Sequence, residues 1–352
     1  MTVAAGFAGD VVRWQRSHGR SGLPWQETRD PYRVWLSEIM LQQTQVSVVL
    51  DYYARFLERF PDVASLAAAS DDEVMSLWSG LGYYSRARNL HRCAQLVVSD
   101  HGGAFPATAE SLATLPGIGR STAAAISSFC FGERVAILDG NVKRVLTRTI
   151  GFGKNLASAA NERELWSRAE SLLPAAGCEE QMPAYTQGLM DLGATVCLQR
   201  NPQCLLCPVS EHCIARRQGR AQDYPVKTRK LKRSSQSLWL LHARSAQGGV
   251  WLEKRPATGI WAGLYCLPVF ESREQLADAL PQPLLGTLHD DPAFVHVLTH
   301  KDLYLHPVVA QVQGSAFGQR PGAWFDAAQW AALGLPAPIR KLLLSAEVLS
   351  LV

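Results

Sequence analysis

The sequence predicts a multidomain protein in which a mainly α-helical domain is followed by a smaller α+β domain. Three observations indicate this. Apolar residues recur at helical spacing through roughly the first two hundred positions. Four cysteines crowd into one short stretch near the middle of the chain, and a strand-like pattern begins after a basic segment. A chain of 352 residues is also longer than one ordinary core requires.

The first half of the chain carries the helical signal. Apolar residues have helical spacing over Ser37–Phe60 and again over Asn161–Leu173. Proline and glycine separate the helical stretches. We therefore expect a helical domain over residues 1–225.

Four cysteines follow with the spacing C-x6-C-x2-C-x5-C: Cys197, Cys204, Cys207 and Cys213. In a chain with no export signal, such crowding favours a metal centre over disulfides. A zinc site typically has two closely spaced cysteine pairs, and this stretch has one. The uneven spacing favours an iron–sulfur cluster, which is larger than a single ion. A zinc knuckle is the alternative.

The N-terminus and the absence of long apolar runs indicate an intracellular protein. Asp10 and Arg13 interrupt the region in which a signal peptide would need an unbroken apolar core. No apolar run approaches the length of a membrane span. We expect a cytoplasmic protein with no membrane partner.

Positive charge is concentrated in a basic segment that marks the domain boundary. The formal net charge is +4, and from Gln236 onward the chain has 8 Lys and Arg against 9 Asp and Glu, so the excess lies earlier. It is densest between Arg216 and Arg233. A solvated linker is the ordinary interpretation of such a run, and contact with a phosphate backbone is the alternative. We expect the linker at residues 226–235.

The remaining residues have the pattern of an α+β domain. Leu238–Leu241 and Val250–Leu252, separated by the turn Gly248-Gly249, predict a β-hairpin. Alternation over His300–Val312 predicts a further strand. Helices are predicted at Ala327–Ala332 and Pro338–Leu349. We expect this domain to span residues 236–352.

A glycine-rich turn lies between two helical stretches of the first domain. Gly117 and Gly119 leave backbone amides uncovered beside the start of a small-residue helix, where the helix dipole favours negative charge. The turn suits a phosphate, although a ligand-free αα-hairpin has the same pattern. Asp139 follows the apolar run Ile137-Leu138 and precedes a glycine, which suits an acid in a cleft.

These motifs resemble one known superfamily. LPGIGRSTA at 115–123, followed by LDGNVKRV at 138–145, is similar to the helix–hairpin–helix and Gly/Pro–Asp signature of the endonuclease III superfamily of DNA glycosylases. SEIMLQQTQV at 37–46 and GLGYYSRA at 80–87 resemble the MutY-type adenine DNA glycosylases. The resemblance covers essentially the whole chain. It implies a helix–hairpin–helix at about residues 111–131 and a 4Fe–4S cluster on the four cysteines of the loop 197–213.

The resemblance also implies an activity. The protein would be a monofunctional DNA glycosylase that flips out adenine and removes it hydrolytically in base excision repair. Its partner would be double-stranded DNA with adenine opposite 8-oxoguanine or, less well, guanine, and it would act as a monomer. The nearest alternative is a bifunctional endonuclease III-like glycosylase and lyase. A non-catalytic DNA-binding iron–sulfur protein and a nucleotide hydrolase are further alternatives.

Two carboxyl groups match the cleavage of an N-glycosidic bond to adenine. Adenine leaves once a ring nitrogen is protonated, and the remaining sugar is cationic, so a proton donor and a separate carboxylate meet both needs. Glu38 lies in an apolar helix, where burial would raise its pKa, and the resemblance makes it the donor to adenine N7. The resemblance assigns Asp139 to the sugar cation and Asn141 to the orientation of that carboxylate. Without the family resemblance, the simpler interpretations are an exposed helix acid for Glu38 and a helix N-cap for Asp139.

Ser121 occupies the position at which bifunctional members of the superfamily carry a lysine. Such a lysine attacks the sugar and forms a Schiff base, whereas a hydroxyl cannot form an imine. Water is then the expected final nucleophile, and the strand stays largely intact. Lys143 is near in sequence and is the residue from which a weak lyase side reaction would come.

The resemblance further implies contacts to DNA. The target base must leave the duplex, and an amide and a phenol match residues that fill the gap or wedge the stack beside the orphan base. The expected DNA-binding residues are Gln42, Tyr83, Gly117, Gly119 and Ser121. Trp25 would wall the adenine pocket. Ordinary packing is the alternative for both aromatic residues.

The second domain resembles the MutT-like (Nudix-like) domain of the same enzymes through RPATGIWAGL at 255–264. Nudix hydrolysis needs glutamates clustered on one helix to hold a divalent metal. The candidate helix Glu271–Asp278 has an Arg-Glu pair but lacks the following glutamate pair and glycine. We therefore expect recognition without hydrolysis. In the family a Phe-Ser-His loop inspects 8-oxoguanine. This chain has Leu298 before Thr299 and His300, which are the expected contacts to the opposite base.

Overall fold

The computed structural model describes residues 3–226, 233–312 and 321–350. The chain divides into a first unit of Met1–Tyr53, Leu57–Ala67 and Arg92–Arg229, and a second unit of Ala54–Phe56, Ala68–His91 and Lys230–Val352. Most of the predicted linker 226–235 lies outside the described residues.

The chain before the basic segment is helical, as the apolar spacing predicts. The helices are α1 (Val3–His18), α2 (Pro31–Leu41), α3 (Val46–Arg59), α4 (Val63–Ala68), α5 (Asp71–Trp78), α6 (Ser85–His101), α7 (Ala109–Leu112), α8 (Arg120–Phe131), α9 (Gly140–Ile150), α10 (Ala159–Glu170), α11 (Met182–Asp191) and α12 (Ile214–Arg217). Among the helices of the described ranges, none has the length and apolar content to cross a membrane.

The predicted helix Ser37–Phe60 is interrupted. It is divided between α2 and α3, because Gln43 has a left-handed conformation, with φ 59, through which a right-handed helix does not continue. The helical spacing over this stretch is confirmed by both helices, and the break leaves Gln42 at the end of α2. The predicted helix Asn161–Leu173 is present as α10, shifted by a few residues.

A π-helical turn, Leu192–Val196, joins α11 to the cysteine-rich loop. Gly193 in this turn lies against Asn141, and a β-carbon at residue 193 would come within 2.6 Å of the Asn141 Cβ. The missing side chain therefore lets the turn pack on the start of α9. Short π segments are frequent at functional sites.

The core of the first unit holds α9 in place. Buried residues from α1, α9, α10 and α11 meet there, among them Phe7, Leu146, Trp166 and Tyr185. Because α9 packs on both α11 and the π turn, the position of its N-terminal residue, and of Asp139 just before it, is set by the core.

The second unit contains a mixed sheet. Its strands are β1 (Ser234–Ser245), β2 (Val250–Lys254), β3 (Tyr265–Cys266), β4 (Val269–Phe270), β5 (His289–Asp290), β6 (Phe294–Val297), β7 (Lys301–Val312) and β8 (Gly322–Phe325). The order is β3-β2-β1-β7-β5, with β4 beside β1, β6 beside β7 and β8 beside β2. The predicted hairpin is confirmed as the antiparallel pair β1 and β2. The predicted strand near residues 300–312 is confirmed as β7, which runs parallel to β1.

Short helices flank this sheet. They are α13 (Arg273–Asp278), α14 (Gln282–Leu285), α15 (Ala327–Ala331) and α16 (Ala337–Ser350). The last two confirm the helices predicted at the end of the chain. Leu276 and Leu284 pack with Leu241 and Val308 of the sheet in an apolar cluster.

The second unit also includes Ala68–His91, which the sequence patterns assign to the helical domain. Ser79 Oγ and Tyr84 Oη donate hydrogen bonds to Leu335 O at 2.9 and 3.2 Å. Arg88 donates to Ala262 O at 2.7 Å. Helix α5 and the start of α6 are thus hydrogen-bonded to the loops around the sheet.

Candidate active site

A cleft of about 1240 Å³ opens in the first unit. It brings together residues that are far apart in sequence but that the motifs single out. Its lining includes Trp25, Glu38, Gln42, Ser121, Asp139 and Asn141. Two acids, two amides, a hydroxyl and an indole therefore face one space.

Glu38 reaches the cleft from α2. The neighbouring residues Leu36, Ile39 and Met40 are buried, so this part of α2 is packed into the protein, and Glu38 lines the cleft. Burial, and next the negative charge of Asp139, raise the pKa of Glu38 to about 8. The side chain is half-buried, which does not fit the exposed helix acid considered as the simpler interpretation.

Asp139 approaches the cleft from the N-terminus of α9. It is the N-cap of that helix, and its Oδ1 accepts a hydrogen bond from Val142 N at 2.6 Å. Burial raises its pKa, against the lowering effect of the α9 amides and of Arg144 and Lys143. The N-cap interpretation and the placement in a cleft thus both apply, because the capping carboxylate also lines the cleft.

Arg144 links this acid-bearing turn to the cysteine-rich loop. Its side chain donates to Asn141 Oδ1 at 2.9 Å, to Gly193 O at 2.5 Å and to Cys197 O at 2.8 Å. Arg144 also lines the cleft. Sequence reasoning missed this residue, although its position three residues after Asn141, on the same helical face, is a signal for it.

A buried carboxylate fixes one wall of the cleft. Asp191, whose side chain has 0% exposure, accepts hydrogen bonds from Arg20 N at 2.9 Å, Arg20 Nε at 2.7 Å and Gln187 Nε2 at 2.8 Å. Both donors line the cleft. The loop after α1, which leads to Trp25, is thereby attached to α11. Trp25 packs edge-on against Tyr53 at 5.2 Å between ring centroids.

The predicted helix–hairpin–helix consists of α7, a turn and α8. Gly117 in the turn has φ 77, a conformation that favours glycine. Gly119 is the N-cap of α8 and brings no side chain to its first-turn amides. Ser121 lies in that first turn, and its Oγ accepts a hydrogen bond from Leu138 N at 3.1 Å.

The four predicted metal ligands lie together away from the cleft. Cys197, Cys204, Cys207 and Cys213 line one small cavity of about 20 Å³. Arg148, at 2% exposure, donates to Cys197 Sγ at 3.3 Å and to Leu198 O at 2.7 Å. Within the described residues, no group of three or more His, Cys, Asp or Glu side chains is arranged to hold a metal ion. Arg148 is a second residue that sequence reasoning missed.

The predicted opposite-base residues belong to the second unit, as does Tyr83. Thr299 and His300 are exposed at the turn between β6 and β7. Tyr83 Oη and Thr299 Oγ1 share a hydrogen bond at 2.5 Å, and Tyr83, with φ 47, is 43% exposed. Arg233 donates to Thr299 O at 3.3 Å and to Leu298 O at 3.2 Å. Arg233 lies in the stretch predicted as a linker, and its role in shaping the turn is not apparent from the sequence.

The segment compared with a Nudix helix is short in the structure. Helix α13 begins at Arg273, after Ser272, whose side chain accepts a hydrogen bond from Gln275 N. Arg273 pairs with Asp290 at 2.9 Å. Glu274 lies in the first turn of this helix.

Each of the two parts of the chain matches a known protein family. Residues 36–171 match the HhH-GPD superfamily of base excision DNA repair proteins, and residues 239–345 match the NUDIX domain. The adenine DNA glycosylase of Buchnera aphidicola subsp. Acyrthosiphon pisum is 35% identical over 96% of this chain and 96% of its own length. That of Homo sapiens is 43% identical over 60% of this chain and 39% of its own length. A thermostable thymine-DNA glycosylase of known structure has a TM-score of 0.53 at 28% identity, covering 61% of this chain and 97% of that chain.

These matches confirm the resemblance drawn from the motifs, and they confirm the fold class. The helical part has the architecture of a solved DNA glycosylase, and the mixed sheet lies in the part that matches the NUDIX domain. The relative that matches nearly end to end covers both parts. The chain belongs to the adenine DNA glycosylases, enzymes of base excision DNA repair within the HhH-GPD superfamily, and it carries a C-terminal NUDIX domain.

Proposed function

We propose that this adenine DNA glycosylase is monofunctional and acts, as a monomer, on double-stranded DNA with adenine opposite 8-oxoguanine or guanine. The observation that carries the proposal is the pair of acids in one cleft, with the pKa of Glu38 raised to about 8. Burial raises the pKa of both acids, but hydrogen bonds and nearby cations oppose this shift at Asp139, which suits Glu38 as the proton donor and Asp139 as the ionised stabiliser.

The two acids have different roles in the reaction. Glu38, protonated at neutral pH, donates its proton to N7 of the flipped adenine and makes the base a better leaving group. The Asp139 carboxylate stabilises the positive charge that develops on the sugar. Asn141 is held by Arg144 and orients the carboxylate. Water then attacks the sugar, and the base and an abasic site are released.

Two features support hydrolysis without strand cleavage. Ser121 stands where a lyase would need an amine, and its hydroxyl cannot form an imine. Lys143, the nearby lysine, forms an ion pair with Glu162, which engages its ammonium group away from the reaction.

The remaining DNA contacts follow from the surfaces on which the residues lie. Gly117 and Gly119 present the uncapped amides of the hairpin to a phosphate, with Ser121 in the same turn. Gln42 occupies the cleft at the end of α2, where an amide fills the gap left by the flipped base, and Trp25 walls the adenine pocket. Tyr83 wedges the base stack.

The opposite base is recognised by the turn between β6 and β7. Thr299 supplies a hydroxyl that bonds 8-oxoguanine, and His300 contacts the phosphate or base beside it. Both are exposed, and Arg233 and Tyr83 hold the turn through hydrogen bonds. Leu298 stands in place of the aromatic residue of related enzymes, so the discrimination depends on the two polar side chains.

The four cysteines of the loop would hold a 4Fe–4S cluster. They line one cavity, and burial, reinforced by the neighbouring cysteines, raises the pKa of Cys207 to about 12. Thiolates at this place therefore need a cationic centre. The Arg148 donor to Cys197 Sγ is of the kind that tunes such clusters. When bound, the cluster would supply folding energy to the loop rather than a group for proton transfer.

The experiment that tests the proposed function uses three duplexes, with adenine opposite 8-oxoguanine, adenine opposite guanine, and thymine glycol. Release of adenine from the first two, with strand scission only after alkali, is the expected result. Borohydride should trap little covalent adduct. Scission without alkali, or efficient trapping that is lost on Lys143→Ala, would assign the enzyme to the bifunctional class. Release of thymine glycol alone would refute the adenine substrate.

A further inference from the structure

The backbone that leads into Asp139 has no regular structure of its own. Residues 132–139 run between α8 and α9 outside any helix or strand. Ile137 and Leu138 are nevertheless buried, at 1% and 2% exposure. In such a place a backbone N–H needs a hydrogen-bond partner, because no neighbouring strand supplies one.

A side chain supplies this partner. Leu138 N donates to Ser121 Oγ at 3.1 Å in a part-buried position. Ser121 projects from the first turn of α8, whose next residues from Ala123 onward are buried. Farther along, Ser128 Oγ and Thr186 Oγ1 share a buried hydrogen bond at 2.8 Å that joins α8 to α11. The acceptor is therefore presented by a helix that is itself anchored.

Asp139 follows Leu138 directly, so its backbone is placed from two sides. On one side the preceding amide is bonded to Ser121. On the other, the first turn of α9 donates from Val142 N to the carboxylate. A shift of the Leu138 peptide would move the carboxylate relative to the sugar, and small misplacements of a reacting group slow a reaction considerably.

We propose that Ser121 is a positioning residue for the Asp139 carboxylate, acting through the hydrogen bond that its hydroxyl accepts from Leu138 N. The inference deepens the proposed function and rests on it for the role of Asp139. Ser121 therefore contributes a hydrogen bond to the site, in addition to lacking the amine that a lyase would need.

The hydrogen bond from Leu138 N predicts that replacing Ser121 by the lysine of a lyase slows base release. Lysine has three donors and no acceptor, so Ser121→Lys leaves the Leu138 amide without its partner. We expect this variant to release adenine more slowly than the native enzyme, while borohydride traps a larger fraction of the reacted sugar as an adduct, because the lysine amine takes the place of adenine at the sugar carbon. Ser121→Thr keeps a hydroxyl at the same place and is expected to keep the native rate within about twofold, since the acceptor is retained.

The first measurement is single-turnover adenine release from a duplex with adenine opposite 8-oxoguanine. Ser121→Ala should slow release about five- to tenfold, the rate equivalent of one neutral hydrogen bond. The Kd for a duplex carrying a non-cleavable adenine analogue should change less than the release rate, because the amides of the turn at Gly117 and Gly119 still bind the phosphate. Ser127→Ala is the matched control, because its hydroxyl lies in the same helix and donates only to Ala124 O, at 3.2 Å, so its release rate should be native.

The second measurement is amide hydrogen exchange at Leu138, which does not depend on the reaction. Exchange should be faster in Ser121→Ala than in the native protein and in Ser127→Ala. Faster exchange in a protein whose native form releases no adenine would refute the proposed function and leave the hydrogen bond established. Native release by Ser121→Ala, equal losses in Ser121→Ala and Ser127→Ala, or a Ser121→Thr as slow as Ser121→Ala would overturn the positioning role.

Discussion

At the residue scale, the two acids of the cleft differ in what stabilises their charge. Glu38 comes from the middle of an embedded helix, where burial and Asp139 both disfavour ionisation. Burial also raises the pKa of Asp139, although the amides of Val142 and Asn141 and nearby cations oppose that shift. Asp139 is therefore the acid better suited to be ionised while Glu38 keeps its proton, as acid catalysis at neutral pH requires.

The raised pKa of Glu38 predicts the pH dependence of base release. The carboxyl is protonated below about pH 8 and loses its proton as the pH rises through that value. We expect single-turnover adenine release to fall above about pH 8. Glu38→Gln should lose most activity at every pH, because it has no proton to donate. A native rate that stays constant well above this pH would contradict the assignment.

The same pKa makes a prediction about stability. In the folded protein the pKa of Glu38 is raised to about 8 by burial and by Asp139, against an ordinary value of 4.5. Between these values the folded state holds the proton and the unfolded state does not, so stability falls as the pH rises through this window. Glu38→Gln does not titrate. Its Tm relative to the native protein should therefore rise between about pH 5 and pH 8, as calorimetry would measure; an unchanged difference would argue against a raised pKa.

Asp139→Asn tests the other acid. The amide keeps the size and an oxygen for the Val142 N–H, so folding and DNA binding should persist. The charge is needed only as the sugar cation develops, so base release should fall on the order of 100-fold or more. Single-turnover kinetics and the Kd for the same duplex separate the two effects. A near-native rate would remove Asp139 from the mechanism.

At the scale of elements, the π turn connects the cysteine-rich loop to the acid-bearing helix. Gly193 allows this turn to approach Asn141, and Arg144 then bonds both Gly193 O and Cys197 O. Arg148 reaches Cys197 and Leu198 from the same helix. The loop thus meets α9 along one face, and the first turn of that helix carries Asn141.

A substitution in the π turn tests this packing. The Cβ of Gly193→Ala would lie 2.6 Å from the Asn141 Cβ and 3.1 Å from its backbone, so α9 must shift. We expect a loss of about 1–3 kcal/mol in the free energy of unfolding, together with slower base release. Gly153→Ala is the control, because its Cβ would meet nothing within 4 Å. Equal behaviour of the two variants would show that the contact is unimportant.

At the scale of the whole molecule, the contacts do not follow the division between the two family matches. Ala68–His91 lies within the part that matches the HhH-GPD superfamily, but it clusters with the second unit. Asp72 pairs with Lys254 of β2. Tyr83, in the same segment, meets Thr299. The proposed wedge and the proposed opposite-base turn therefore belong to one unit.

This arrangement predicts how loss of the second domain differs from a point substitution. A chain ending at residue 235 should still remove adenine and should lose the preference for 8-oxoguanine over guanine. It should also lose stability, because Ser79, Tyr84 and Arg88 lose their acceptors. Thr299→Val should lower the same preference by about 1 kcal/mol, the value of one neutral hydrogen bond.

The rate ratio for the two duplexes and the Tm distinguish recognition from scaffolding. His300→Ala should add to the effect of Thr299→Val on the ratio and should change the Tm little, because the imidazole is exposed. Thr299→Val also removes the hydrogen bond to Tyr83, so its Tm is compared with that of His300→Ala. A lower Tm with an unchanged ratio would mean that these residues only close the turn.

The sequence by itself determined the features that depend on local pattern or on motif spacing. Alternation and a Gly-Gly turn predicted the hairpin of β1 and β2, helical spacing predicted α10 and α16, and four closely spaced cysteines predicted one shared site. Residues such as Glu38 and Asp139 were found because they stand within contiguous motifs. That they would face one cleft followed only from the resemblance, since nothing local relates a position in α2 to the start of α9.

Only the tertiary structure decided the features that depend on distant partners. The approach of Gly193 to Asn141 and the burial of Asp191 beside Arg20 cannot be recognised from hydrophobic periodicity, because each depends on a segment far away in the chain. The role of Arg233 also depends on distant partners. In the sequence it is one cation of a basic segment, and only the structure shows its hydrogen bonds to Leu298 and Thr299. The hydrogen bond from Leu138 to Ser121 is of this kind too. A hydroxyl at a helix start is common, and its function here depends on which backbone amide the fold brings beside it.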